Sequence, residues 1–393
     1  MKCLGISLVL LVMYSGLFAQ NYDESKVGSY ILPDVLKTTS NKTVTTVSSW
    51  ENTRRPEILT LFEDNVYGQL PKDYDSLRYV ISKEDKNAME GKAHLKVVNV
   101  TIWRAGKSVT INLNLFTPNA RKGPSPVFLL INNRPITNID PTRTVKSEFW
   151  PAEIVIDSGY AIAAFYVFDA SPDNKEHFQE GVLQLYPEQL ASPNGMRTIG
   201  AWAWAASRIL DYFEKDKDID AKKVMVVGHS RGGKTAMWAG AEDKRFSMIF
   251  TNCSGNTGAS LARRNYGETI AKINTSFPFW FTDNYKKYND NENELPVDQH
   301  MLFALLVPRP VYSTNATKDL WADPKGSFLS VKNAEPVYAL YKKKSALGAE
   351  PPAVNDAITT LQLGYHIREG ENNMMIFDWN NFIKFANFHL RGR

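Results

Sequence analysis

The chain has 393 residues, 46 Lys and Arg against 42 Asp and Glu, a net charge of +4 and 12% aromatic residues. That length can bury a large core, and a small charge excess without Lys/Arg clusters interleaved with aromatics gives no support for nucleic-acid binding. Only Cys3 and Cys253 are present, and a leader would carry Cys3 away, so the fold does not depend on disulfides.

Lys2, the apolar run Leu4–Tyr14 and the small-residue site Leu17-Phe18-Ala19 predict a signal peptide over residues 1–19. The apolar run is too short for a membrane span. The expected product is a single domain over 20–393 that is periplasmic or secreted. Asn21–Thr60 is polar with helical character. Leu95–Trp103 and Val109–Pro118 alternate apolar and polar residues around the polar turn Arg104–Lys107, which predicts an antiparallel hairpin. Val127–Ile131 and Ala161–Phe165 read as short buried strands. Thr198–Lys215 places Ile199, Trp202, Ala206, Ile209, Leu210 and Phe213 at helical spacing. Val224–Val227, Met248–Thr251, Pro310–Thr314 and Leu361–Ile367 are further strands, and Asp378–Leu390 is a closing helix. An early hairpin followed by alternating strands and helices predicts an α/β-hydrolase fold with a mostly parallel central sheet. The aromatic and polar stretch Arg263–Pro296 is expected to form part of a pocket wall.

The richest segment is Val224-Met-Val-Val-Gly-His-Ser-Arg-Gly-Gly-Lys234. Gly228-His-Ser-Arg-Gly232 fits G-x-S-x-G between a strand and a helix, the setting of a nucleophile elbow that lifts the Ser230 hydroxyl above the sheet edge. The two glycines are required because side chains there would strike the neighbouring strand or helix. The N–H of Arg231 is placed to stabilise a developing oxyanion.

A serine hydroxyl needs a base, usually a histidine oriented by a carboxylate, and in this fold the chain order is serine, acid, histidine. Asp319, in Thr317-Lys-Asp-Leu-Trp-Ala-Asp-Pro324, follows a strand and is the expected acid; Asp323 before Pro324 reads as a capping residue. Three histidines follow the serine. His300 enters the apolar run Leu302–Val307 and reads as a core residue. His389 ends the last helix near Arg391 and Arg393. His366 lies within the last strand, up to about 20 Å of chain from the loop where the base belongs. No histidine stands where one is wanted. The histidines are scattered without zinc-type spacing, so no metal is expected, and no cofactor is implied.

The blocks Gly228–Lys234, Asn256–Arg264 with Tyr266-Gly-Glu268, Leu295–His300, Ala304–Pro310, Asp319–Pro324 and Gly364–Gly370 resemble, in this order and across the mature chain, the bacterial glucuronoyl esterases. These carbohydrate esterases cleave esters between glucuronic acid on xylan and lignin alcohols. The resemblance implies that Ser230 is the nucleophile and that Arg231 stabilises the oxyanion through backbone and guanidinium. It also implies that Lys234 and Glu268 meet sugar hydroxyls and that Trp321 supplies an apolar wall. From the residues alone, Lys234 and Glu268 could equally form an ordinary ion pair and Trp321 could be core. Some members carry the acid at the position of Cys253, where a thiol cannot orient an imidazole, so the role passes to Asp319. Members typically show Gly-x-His-Asp after the last strand; here the run is Gly370-Glu-Asn-Asn373, with Asn372 in the histidine's place.

The expectation is therefore a serine carboxylic-ester hydrolase acting on glucuronate esters of xylan, impaired because an amide does not take up a proton near neutral pH. Glu371 or His366 would have to rescue it. The alternatives are a non-catalytic uronate- or xylan-binding protein on the same scaffold, or an acetylxylan esterase. The expected partner is carbohydrate, with no nucleic acid and no membrane span; the oligomeric state is left open.

Overall fold

A computed structural model describes Gln20–Gly392; the expected signal peptide lies outside the described residues. Ten strands form one sheet: β1 Ser76–Ala88, β2 Ala93–Arg104, β3 Lys107–Pro118, β4 Ser125–Asn132, β5 Ala161–Tyr166, β6 Ile219–His229, β7 Phe246–Asn252, β8 Val311–Ala316, β9 Ala357–Ile358 and β10 Leu363–Arg368. Their spatial order is β1-β2-β3-β5-β4-β6-β7-β8-β10-β9. β5, β4, β6, β7, β8 and β10 run parallel; β1 to β3 form an antiparallel meander on one edge, and β9 pairs antiparallel on the other.

The central strands are continuous apolar runs because both faces of the sheet are covered. Val224 and Val226 of β6 enter a core shared with the helices Thr198–Phe213 and Arg231–Glu242. Met225 and Val227 enter a second core, closed by the helices Ala152–Asp157 and Ile376–Arg391. The Thr198–Phe213 helix is buried on nearly every side, as expected of a helix apolar all round. It still satisfies its indoles: Trp202 donates to Ser171 O at 2.8 Å and Trp204 to Pro71 O at 2.9 Å.

The predicted hairpin is present as β2 and β3, in register from Ala93–Pro118 to Arg104–Lys107. β1 has no counterpart in the sequence reading. Its residues are mostly exposed and include Lys83, Glu84, Asp85 and Lys86, the composition that protects an edge strand from pairing with another chain. Such a strand carries no apolar alternation to read. Within Asn21–Thr60 the chain makes one short 3-10 turn, Glu24–Lys26, before a helical run that begins at Val47 and buries Trp50 and Ile58. No helix among the described residues is long and apolar enough to cross a membrane.

Candidate active site

β6 ends at His229 and the next helix begins at Arg231, so Ser230 makes the reversal alone, at φ 53° and ψ −124°. A positive φ on a residue with a side chain is strained and has to be held by its surroundings. Ser230 N donates to Asn252 O at 2.8 Å, and Ser230 O accepts from Gly233 N at 2.8 Å. A Cβ on Gly228 would lie 1.9 Å from Gly232 O, and one on Gly232 would lie 2.9 Å from Ile131 O. Both motif glycines are therefore steric requirements, against the first turn of the helix and the end of β4. Gly228→Ala should cost about 3 kcal/mol, the upper end of overpacking penalties, read as a lowered urea midpoint.

Asp319 and Asn372 come together because β8 and β10 are parallel neighbours, with Ala316 opposite Arg368 at their C-terminal ends. The two following loops are tied by Lys318 N to Gly370 O at 2.9 Å and Gly370 N to Thr317 Oγ1 at 3.1 Å. Asn372 Nδ2 donates to Asp319 Oδ2 at 2.7 Å. The amide thus meets the acid as an imidazole N–H would. Burial raises the Asp319 carboxyl above its ordinary range, only partly offset by hydrogen bonds from Asn372, Cys253 and Ala322. Cys253 is a free, buried thiol pushed well above its usual range by burial, so it offers Asp319 a weak donor and no thiolate.

Each of the six histidines is committed away from the Ser230 hydroxyl. His94 meets Glu84, and His177 meets Glu180. His300 is in the core as expected, with Nε2 on Pro33 O at 2.9 Å. His389 is half-buried, with Nε2 on Leu361 O at 2.7 Å. His366 is fully buried between Tyr312 OH at 3.0 Å and Asp378 Oδ1 at 2.8 Å, so no loop path brings it to the serine. Glu371 is no substitute: its side chain is 75% exposed and faces Lys318 at 3.7 Å.

His229, next to the serine, is fully buried beneath the elbow. Its Nε2 meets Arg134 Nη2 at 3.0 Å and its Nδ1 meets Asn252 Oδ1 at 2.5 Å. A guanidinium can only donate, so Nε2 is the acceptor and Nδ1 carries the proton. Burial pushes this imidazole down to about 4, so it stays neutral in the folded protein. The unfolded chain takes up the proton near 6.5, which makes the folded state lose stability as pH falls from about 6.5 to about 4, by about 3 kcal/mol in all. His229→Gln, which has nothing to titrate there, should lose less over that interval in urea midpoints measured at pH 7 and pH 4.

Arg231 opens the helix, so its N–H has no partner within it. Its guanidinium is fixed by an ion pair with Asp173 and lies 4.8 Å from the Trp280 ring centroid. Trp280 stacks on Phe277 at 3.7 Å and donates its indole N–H to Asp173 Oδ1 at 2.8 Å. The Arg263–Pro296 stretch thereby walls one side of Arg231. Lys234 is only 2% exposed. Its Nζ contacts Ser254 O at 2.8 Å, Glu268 Oε2 at 2.6 Å and Asn256 O. All three donors are engaged, so a sugar hydroxyl reaching Lys234 has to displace one of these acceptors. Burial lowers Lys234 and raises Glu268, against the attraction of each for the other. Trp321 is half-buried beside this pair, and its main-chain O accepts from Glu268 N at 2.8 Å. Asp323 caps the helix Pro324–Asn333, accepting from Gly326 N at 2.9 Å, and pairs with Arg264 at 2.8 Å.

Sequence reading missed Arg134, Asp173, Arg368 and Asp378. Arg368 donates to Glu369 O at 3.0 Å, Glu371 O at 2.7 Å and Asn373 O at 2.6 Å, and its Nε to Asp378 Oδ2 at 3.0 Å. This one guanidinium shapes the loop that presents Asn372. Arg134 alone left a signal, since it follows β4 where an α/β-hydrolase builds its oxyanion loop. Asp173 gains meaning only from distant Arg231 and Trp280, and Arg368 and Asp378 only from the way the loop after β10 folds back.

Residues 100–341 match the family described as glucuronyl esterase, fungi. Carbohydrate esterase MZ0003, from an unknown prokaryotic organism, is 38% identical over 403 aligned residues, covering 95% of this chain and 92% of the relative. A 4-O-methyl-glucuronoyl methylesterase of Schizophyllum commune is 26% identical, covering 78% of this chain and 72% of the relative. The solved glucuronoyl esterase from Solibacter usitatus superposes with a TM-score of 0.87 at 38% identity, over 94% of this chain and 100% of that one. With matching sequence blocks, a matching sheet and relatives that span nearly its whole length, the chain belongs to the glucuronoyl esterase family, a family of carbohydrate esterases.

Proposed function

We propose that this protein recognises glucuronate esters on xylan outside the cytoplasm, after loss of residues 1–19, and hydrolyses them slowly. Ser230 is the nucleophile, and the N–H and guanidinium of Arg231 stabilise the oxyanion. Asp319 is the triad acid, Asn372 sits in the base position, and Lys234, Glu268 and Trp321 line the sugar side. The observation that carries this reading is the Asn372–Asp319 contact at 2.7 Å, in which the carboxylate read as the acid meets an amide.

Attack by Ser230 requires its proton to leave as the C–O bond forms. Asn372 turns its Nδ2 to Asp319, and an amide does not take up a proton near neutral pH, so it cannot serve as the base. Loss of the triad histidine has cost on the order of a millionfold in turnover in a serine protease, equivalent to about 8 kcal/mol of barrier. What remains is oxyanion stabilisation and binding. Hydrolysis of a benzyl glucuronate ester at high enzyme concentration should be slow but measurable and should vanish in Ser230→Ala; a rate typical of an intact esterase overturns the reading.

A further inference from the structure

Among the described residues Arg134 is a cation without a counter-ion, in contact with His229, the neighbour of Ser230. Its backbone is fixed by Asn132, whose Oδ1 accepts from Arg134 N at 3.3 Å and whose Nδ2 donates to Arg134 O at 2.9 Å. The guanidinium, half-buried and 5.9 Å from the Phe149 ring centroid, reaches over the elbow. Nη2 donates to His229 Nε2 at 3.0 Å and Asn372 O at 3.3 Å, and lies 3.5 Å from Asn372 Oδ1. Every one of these partners is uncharged. Nε is buried and unbonded. Among the described residues Arg134 makes no ion pair, whereas Arg143, Arg231, Arg264 and Arg368 each meet a carboxylate. Burial and the nearby Arg231 both work against the Arg134 charge.

A desolvated guanidinium without an anion is costly, and an incoming carboxylate removes that cost with charge-assisted hydrogen bonds. An ester carbonyl can accept a hydrogen bond from the guanidinium but brings no opposite charge. Ser230 and the N–H of Arg231, at a helix N-terminus itself favourable for an anion, follow directly on His229, the residue that Arg134 contacts. We propose that the Ser230 site binds the free uronate carboxylate in preference to its ester, with Arg134 as the discriminating ligand. This deepens the uronate-site reading above: a permanent cation and an amide, in place of a base, suit the ionised acid and retain it.

The test is calorimetric titration of D-glucuronate and of methyl D-glucuronate at pH 7 and low salt, in the Ser230→Ala background so that no ester is converted during the measurement. The acid should bind about ten- to a hundredfold more tightly than the ester, the range for hydrogen bonds to charged groups, and the gap should narrow as salt is added. Arg134→Gln should weaken the acid far more than the ester and so remove the preference, and Arg134→Lys should keep part of it. Equal binding of acid and ester, or a preference that survives Arg134→Gln, overturns this proposal alone. Binding of neither form overturns the uronate-site reading with it. A failure of histidine at position 372 to restore turnover bears only on the catalytic reading.

Discussion

Asn372→His should raise the rate of benzyl glucuronate hydrolysis by about a thousandfold or more. Under the proposed reading the base is the one part missing. Asp319 Oδ2 accepts an N–H at 2.7 Å from residue 372, so an imidazole there is given a partner that fixes its tautomer and stabilises its protonated form. The loop needs no rebuilding, because Arg368 holds the carbonyls of residues 369, 371 and 373. The gain should stop short of the roughly millionfold gap between intact and histidine-less triads. Arg134 donates to Asn372 O at 3.3 Å and would depress the new imidazole, disfavouring its protonated form. The check is kcat at pH 7 for the native protein and the variant, with Asn372→His in the Ser230→Ala background remaining at blank level. An unchanged rate refutes the missing-base explanation, because the residue would then have the right partner and no consequence.

Asp378→Ala should destabilise the protein by about 3–5 kcal/mol, the cost of leaving a buried charge without its partner. Asp378 is fully buried. One oxygen accepts from His366 Nε2 at 2.8 Å, and the other accepts from Arg368 Nε at 3.0 Å and Met375 N at 2.8 Å. Removing it strands the Arg368 guanidinium and frees the start of the Ile376–Arg391 helix. Urea midpoints give the size of the loss. The double variant with Arg368→Met should cost less than the sum of the two single changes, since the second removes the charge that the first left unpaired. Strict additivity would mean that the two residues do not act as one unit.

The strands β2 to β8 and the elbow were legible because each rests on a local cause. Alternation marks the half-covered hairpin, four-residue apolar runs mark strands buried on both faces, and two glycines mark a turn that no Cβ fits. β1 was not legible, since an edge strand exposed to water is under no pressure to alternate. Asp319 could be named from its place after β8, whereas chain position marked only the loop after β10 and Asn372 itself was named by the family resemblance; the two loops meet because parallel neighbours deliver their following loops to the same end of the sheet.

The sequence by itself determined the fold class, the elbow at Ser230 and the absence of a histidine from the loop just after the last strand, since steric demand at glycine and apolar periodicity are written in consecutive residues. Only the tertiary structure decided that Lys234 is saturated by Glu268 and two carbonyls, that His366 belongs to a sealed pair with Asp378, and that Arg134 lies unpaired against Asn372. The reason is physical: what a charged or polar side chain does is set by whether it is desolvated and by what stands opposite. Most of those partners come from chain positions tens to hundreds of residues away, and even His366 and Asp378, twelve residues apart, meet only because a loop folds the last helix back on its strand.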